Sequence, residues 1–547
     1  DFAAIFAGGL VSGIYTTNSP EQIQYICENS ESQVMVCENT KQLLKVLAVK
    51  HQLPELKAII VYDNKIECDV AAELAKARSG ESSEENSAPT SDEKLVWTWN
   101  EAMALGSEVP QETLQERINK QNVTDCCTLI YTSGTTGNPK GVMISHYNIS
   151  FTIASIIGPI GITQTDRIVT YLPLSHIAEQ IVSLHAPLCT GAAVYFAEPT
   201  ALQGTLGETL KFVRPTIFVG VPRVWEKIQA KIMAAGAQNT GLKKAISGWA
   251  RGKGMAGNYN AQNSLSKPWG WWLAQRLVFN KVATLLGLDQ ARVCITTAAP
   301  ISKDTLEFFL SLNIPVCEVF GMSEATGPIT LSVPYKYKTA KAGWPIHGTE
   351  IKIAEDGEVC FRGGNVFMGY WKNPTATAET IDDHGWLHTG DVGVLDEHGF
   401  LQITDRKKEL IITAGGENVP PAVLEGYLRG IPLVNQAVVI GDRRKFVGAL
   451  ISLNTDRLQQ EAAAIGATCG NDPVQAAKDS VFLAHLKKQI NEVNKQLSNA
   501  QAIKNFAILP QELTIEGDEL TPTMKLKRRI INAKYADLIE SVYAGSE

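Results

Sequence analysis

The sequence predicts an α/β protein of two domains, the larger one built from parallel strand–helix layers. Three observations carry that prediction. Short β-branched apolar runs recur at 58–62, 126–131, 167–172, 216–221, 292–296 and 316–320, separated by helical patterns and Gly/Pro turns, as parallel layers require. From about Gly343 the runs become short and close together, at 350–354, 358–362 and 399–404, which reads as an antiparallel or barrel-like subdomain. After Asp405 the texture changes again: 435–440 and 447–453 read as strands, and Leu483, Leu486, Ile490, Val493 and Leu497 recur at helical spacing along one face. The expected division is a large domain over 1–404, its barrel-like part at about 343–404, and a small α+β domain over 405–547.

Composition narrows the function classes. A chain of 547 residues with 44% hydrophobic content can bury large cores in more than one compact unit. The formal charge of -7 supplies no electrostatic basis for nucleic-acid binding. The ten cysteines show no CxxC repeat or metal-ligand spacing, which suits reduced thiols in a cytoplasmic protein. The longest uncharged stretch near the middle, around 180–197, is interrupted by His185, Pro187, Thr190 and Gly191, so no membrane-spanning helix is expected. Residues 79–94, rich in Ser, Glu and Asp, read as an exposed surface loop. The chain opens at Asp1 on an apolar helical pattern with no initiator Met or leader features, and the expectation is that an N-terminal part is missing.

The chemistry is concentrated in one loop. Tyr131 and Gly141 enclose Thr132, Ser133, Gly134, Thr135, Thr136, Gly137, Asn138, Pro139 and Lys140, between an apolar strand and a helical pattern starting near Ser145. Glycines let backbone amides approach an anion, hydroxyls donate hydrogen bonds and Lys140 brings positive charge, so polyphosphate binding is the chemistry implied. The spacing is not that of a Walker loop.

In this loop the chain resembles the adenylate-forming superfamily of acyl-CoA synthetases, luciferases and peptide-synthetase adenylation domains. The resemblance covers nearly the whole chain and implies a small C-terminal domain that moves against the large one. Thr297-Ala298-Ala299-Pro300 matches the block lining the adenine pocket. Glu318, Val319, Phe320, Gly321, Met322, Ser323 and Glu324 match the block that packs an aromatic ring on adenine, contacts phosphate and holds Mg²⁺, the metal falling to Glu324. Thr389-Gly390-Asp391 matches the ribose-binding block. Asp405-Arg406-Lys407-Lys408 matches the hinge, with Arg406 on the nucleotide and Lys408 as pivot. Aligned on the Arg528-Arg529 pair, Lys525 takes the place of the catalytic lysine, with neighbouring Lys527 as the fallback; Thr523-Met524 stands where many members have Ser-Gly.

The reaction implied is activation of a carboxylic acid by ATP as an acyl-adenylate, with Lys525, Glu324 and Lys140 as catalytic groups, followed by transfer to CoA with Gly415, Gly416 and Glu417 on the thiol side. Tyr171-Leu-Pro-Leu-Ser-His176-Ile177 and Gly415 to Pro421 resemble the long-chain acyl-CoA synthetases most, and within them the bubblegum type acting on long- and very-long-chain fatty acids. His176 then falls beside the acyl pocket. Trp225, Trp249, Trp269, Trp271 and Trp272, among lysines in the long segment 224–288, suit either a core or a portal touching a membrane such as the endoplasmic reticulum. Two other readings stay open at this stage: a fatty-acid transport or binding protein with vestigial ligase motifs, and an adenylate-forming enzyme with a different acceptor.

Overall fold

A computed structural model describes residues 1–78, 94–132, 138–407, 409–415, 417–521 and 524–544. Most of the predicted low-complexity loop, at 79–93, lies outside the described residues. Two compact units emerge. One comprises Asp1–Ser150, Pro173–Ile177 and Phe367–Glu379; the other comprises Phe151–Leu172, Ala178–Val366 and Thr380–Glu547.

The first unit holds two sheets. Val34–Cys37, Ala58–Val61 and Val96–Thr98 run parallel beside the helices Pro20–Ser30 and Thr40–Val49, whose apolar faces bury Ile23, Leu43, Val46 and Leu47 against them. Ser19 and Gln22 close a reciprocal capping box at the start of the first of these helices, satisfying amides that the helix itself leaves open. The other sheet has the order Val11–Gly13, Cys126–Thr132, Lys140–Ser145, Gly369–Tyr370. Here the structure adds an element to the sequence reading. The loop is followed by the strand Lys140–Ser145, paired antiparallel to Cys126–Thr132 with Thr132 opposite Lys140, before the helix His146–Ile160 begins.

The second unit is organised on a seven-stranded sheet. Its order is Trp344–Pro345, Gly327–Leu331, Val316–Met322, Val293–Thr296, Ile217–Gly220, Arg167–Thr170, Ala193–Phe196. The strands from 316–322 across to 193–196 are mutually parallel, and Ile217–Gly220 and Val293–Thr296 are buried at every position, the signature of a sheet covered on both faces. Trp225 belongs to this core: fully buried, edge-on to Phe218 and Phe309, with its indole N–H donated to the Ile295 carbonyl at 3.1 Å. Trp271 is buried too, whereas Trp269 and Trp272 are 91% and 65% exposed.

An antiparallel four-stranded sheet follows, in the order Thr349–Ile353, Glu358–Gly363, Leu387–Leu395, Leu401–Arg406. The last sheet pairs Val434–Ile440 with Val447–Leu453 and the latter with Ile503–Ile508, backed by the helix Ser480–Asn494. That helix is capped by Asp479 and buries Phe482, Leu486 and Ile490, so the predicted apolar stripe is its core face. Among the described residues no helix is long and apolar enough to cross a membrane.

One buried carboxylate ties together the starts of three parallel strands. Asp166, before Arg167–Thr170, accepts from Arg292 Nε at 3.1 Å and Nη2 at 2.6 Å, from Thr216 Oγ1 at 2.6 Å and from the Thr163 amide at 2.8 Å. Burial works to raise its pKa, but the hydrogen bonds from Arg292 and Thr216 outweigh that and hold it below the usual carboxylate range. We expect Asp166→Ala to cost about 2–4 kcal/mol in urea unfolding near neutral pH. The folded-state pKa is depressed, so the gap from wild type should narrow as pH falls through the carboxylate range.

Candidate active site

The second unit sets the 298–300 and 318–324 residues at the carboxyl ends of its parallel strands, where open α/β sheets bind ligands, and Asp391 and Arg406 on the antiparallel sheet. Val316–Met322 carries Glu318, Val319, Phe320, Gly321 and Met322. It leads through the tight turn Ser323–Ala325 into the antiparallel strand Gly327–Leu331, with Thr326 at φ 53 and Gly327 at φ 105. At Gly321 a Cβ would lie 2.1 Å from the Gly327 carbonyl oxygen, so only glycine admits this reversal. The turn leaves Ser323 and Glu324 largely buried. Burial pushes the Glu318 carboxyl up to about 8, against backbone hydrogen bonds from Ala340 and Lys341.

The neighbouring strand Val293–Thr296 ends at Thr297, whose hydroxyl donates to the Val319 carbonyl at 3.1 Å and pins the two strand ends together. Ala298 then takes φ 76, a left-handed conformation that alanine adopts only under local strain, and Ala299 and Pro300 are exposed beyond it.

Asp391 is buried on Leu387–Leu395, directly opposite Arg406 in the strand pairing. Arg406 Nε lies 3.1 Å from Asp391 Oδ1, and Nη1 lies 3.4 Å from Glu409 Oε1. Burial raises the Asp391 carboxyl above its ordinary value, and Arg406 is the main counterweight. For the half-exposed Arg406 partial loss of water opposes the charge, but Asp391 and then Glu409 prevail and hold it above its ordinary value. Glu409 is shared: Arg528 Nε reaches it at 3.3 Å, while Arg528 grips Glu425 with both terminal nitrogens, at 2.7 and 2.9 Å.

Lys525 completes the group. Met524 before it is at φ 64, the Lys525 amide donates to Thr521 Oγ1 at 3.0 Å, and Leu520 bridges to Leu526, so the lysine sits in a braced turn. Burial, and after it the charge of Arg406, push the Lys525 ammonium down to about 8, against Asp391, Glu409 and Glu324, which favour it. Lys527 instead pairs with Asp518.

In the first unit, Thr132 ends one strand and Lys140 opens its antiparallel partner, with Asn138 exposed and Pro139 half-buried between them. Ser133, Gly134, Thr135, Thr136 and Gly137 lie outside the described residues, as do Lys408 and Gly416 in the second unit. Lys140 Nζ stands 4.7 Å from the centre of the Tyr370 ring. His176 is half-buried, its amide bonded to the Pro173 carbonyl. Back in the second unit, Gly415 and Glu417 flank the connection between Ile411–Ile412 and Asn418–Val419, and the Glu417 amide donates to Thr413 Oγ1 at 3.2 Å.

Comparisons with known proteins show the family and the fold. A family model described as AMP-binding enzyme matches residues 1–371, and one described as AMP-binding enzyme C-terminal domain matches residues 408–547. The long-chain-fatty-acid–CoA ligase ACSBG2 of Xenopus laevis is 44% identical over 99% of this chain and 74% of its own length. ACSBG1 of Bos taurus is 41% identical over 99% of this chain and 75% of its own. This chain belongs to the bubblegum-type long-chain-fatty-acid–CoA ligases. Solved structures share the adenylation-domain fold of this ligase family. The carboxylic acid reductase A domain of Segniliparus rugosus, in complex with AMP and a co-purified carboxylic acid, has a TM-score of 0.72 at 22% identity and covers 100% of this chain and 80% of that one. The adenylation domain of the carboxylate reductase of Mycobacterium chelonae gives 0.73 at 21% identity, covering 98% and 77%.

In this ligase chain three residues that the sequence did not single out contact the expected ones. Glu409 follows the Asp405–Lys408 block directly and could have been read as the partner of its arginine. Arg528 served only to anchor the alignment. Tyr370 gave no signal at all, because it meets Lys140 only through the pairing of Gly369–Tyr370 with Lys140–Ser145. We expect the Lys525 amine to titrate near pH 8 in the nucleotide-free chain, followed by NMR of a carbon-13-methylated lysine. Asp391→Asn, which removes a carboxylate that favours the ammonium, should move that midpoint downward.

Proposed function

We propose that this chain uses ATP to activate a long- or very-long-chain fatty acid as an acyl-adenylate and passes the acyl group to CoA. The observation that carries the reading is the position of Lys525 in the combined field of Asp391, Arg406, Glu409 and Glu324. A carboxylate oxygen of the acid attacks the α-phosphorus of ATP and the bond to pyrophosphate breaks. Lys525 and Arg406 offset the negative charge that develops on phosphorus and its oxygens. Thr132 to Lys140 cradle the polyphosphate, Asp391 accepts from the ribose hydroxyls, and Ala298 to Pro300 with Phe320 enclose adenine. The CoA thiolate then attacks the carbonyl carbon of the mixed anhydride and AMP leaves.

Glu324, a buried carboxylate within electrostatic reach of Lys525, fits a hard cation and would hold Mg²⁺, whose charge neutralises polyphosphate oxygens. The two half-reactions use a small domain from residue 405 onward that pivots at Lys408, bringing Gly415 to Glu417 to the thiol. The start of the C-terminal family match at residue 408 supports that boundary. His176 would stand beside the acyl pocket. The exposed Trp269 and Trp272, near Lys267 and Arg276 in the chain, support peripheral contact of a cytoplasmic enzyme with an intracellular membrane such as the endoplasmic reticulum.

The test is pyrophosphate release with Mg-ATP across fatty acids of increasing length, with and without CoA. Acyl-CoA formation that depends on CoA, with Lys525→Ala slowing adenylation about 100- to 1000-fold, is the expected result. Fatty-acid binding by the folded chain with no pyrophosphate would overturn the proposal. The charged lysine is the active form, so adenylation should fall as pH rises through its pKa, and Lys525→Arg should carry that limb to higher pH.

A further inference from the structure

Next to the Thr389-Gly390-Asp391 block, the antiparallel strands Glu358–Gly363 and Leu387–Leu395 bring a carboxylate, a thiol and an imidazole to one point. Cys360 is paired directly opposite His388, and Glu358 lies two residues before Cys360 on the same face. His388 Nδ1 is 3.1 Å from Glu358 Oε2 and 3.5 Å from Cys360 Sγ. The three donor atoms all lie within 4.8 Å of one another, and among the described residues this is the one group of three or more such side chains with that closeness.

We propose that Glu358, Cys360 and His388 form a binding site for a thiophilic divalent cation of the Zn²⁺ class. The donor set is thiolate, imidazole and carboxylate, which favours zinc over the oxygen-seeking Mg²⁺ of the nucleotide. A tetrahedral site with bonds of about 2.0–2.3 Å has donor–donor edges of about 3.3–3.8 Å. The His388 separations of 3.1 and 3.5 Å need only small adjustments to reach them. A second feature matches what metal-bound histidines carry: the other ring nitrogen, Nε2, faces Asp382 Oδ2 at 3.7 Å, where a carboxylate orients the imidazole. Access exists, since the His388 side chain is 34% exposed while Cys360 is buried, so the ion enters past the imidazole. Three protein donors leave a fourth position for water.

Occupancy also changes a neighbouring ion pair. Lys407 Nζ now lies 3.1 Å from Glu358 Oε2 and pairs with Asp356 as well. A cation taking Oε2 displaces Lys407 onto Asp356 alone. The other Glu358 oxygen, which accepts from the Gly390 amide at 2.8 Å, keeps that bond.

Cobalt(II) is the probe, added to the full chain without nucleotide. One equivalent should give the intense visible bands of tetrahedral cobalt together with a near-ultraviolet thiolate-to-cobalt charge-transfer band, both erased by Zn²⁺. Cys360→Ser should remove the charge-transfer band, while Cys189→Ser, at the exposed thiol, should leave it intact. Asp382→Asn retains the acceptor of its turn and should weaken Zn²⁺ binding about tenfold, a readout that does not depend on replacing a buried residue. A pale six-coordinate spectrum without charge transfer, or a thiolate band that survives Cys360→Ser in a folded chain, would overturn the proposal. Unchanged Zn²⁺ affinity in Asp382→Asn would overturn the orienting role of that carboxylate.

Discussion

The burial of Asp391 is the constraint on which the rest of the second unit's chemistry depends. Burial disfavours the ionised form of this carboxyl and raises it above its ordinary value. Arg406, opposite it in the strand pairing, supplies the opposing charge. That guanidinium is itself steadied by Glu409, Glu409 is shared with Arg528, and Arg528 is locked by both arms to Glu425. Glu425 in turn accepts the Val439 amide at 2.8 Å, so the alternating chain of charges ends on the backbone of the C-terminal sheet. Arg406 and Glu409 share one turn, and the members together join the Leu387–Leu395 and Leu401–Arg406 strands to the helix Pro421–Arg429 and to the helix that starts at Arg528. Removing Arg406 leaves Asp391 buried and uncompensated, which is the costly way to break such a network.

Lys525 sits at the end of this arrangement and feels its imbalance. Burial and Arg406 oppose its charge, while three carboxylates only partly restore it. An ammonium in that state gains more than a solvated one when phosphate charge arrives beside it, because the anion removes the penalty that lowered its pKa. Ala298 and Thr326 hold left-handed conformations just beyond the ends of Val293–Thr296 and Val316–Met322.

Much of the fold was legible because each strand of a covered parallel sheet must be apolar along its length, and such runs stand out in one dimension. The strands at 217–220, 293–296 and 316–322 match the predicted runs closely, as does the helix stripe of Leu483, Leu486 and Ile490. The strand Lys140–Ser145 was missed because the polar loop before it and the helix after it mask a short alternating pattern. Leu387–Leu395 was read only as a ribose-binding motif, since His388, Thr389, Gly390 and Asp391 give it a polar centre. Of the tryptophans between 224 and 288, the sequence could not separate core from surface; packing against Phe218 and Phe309 decides it for Trp225.

By itself the sequence determined the order of layers, the composition of the 132–140 loop and the identity of the charged groups, because periodicity and local motif spacing are properties of neighbouring residues. The tertiary structure alone decided which of those groups meet. Arg528 finds Glu425 and Glu409, Arg292 finds Asp166, and Cys360 faces His388, across separations that no local pattern encodes. Strand register and the path of each crossover set those distances, and electrostatics falls off too quickly through solvent for any other arrangement to produce the same coupling.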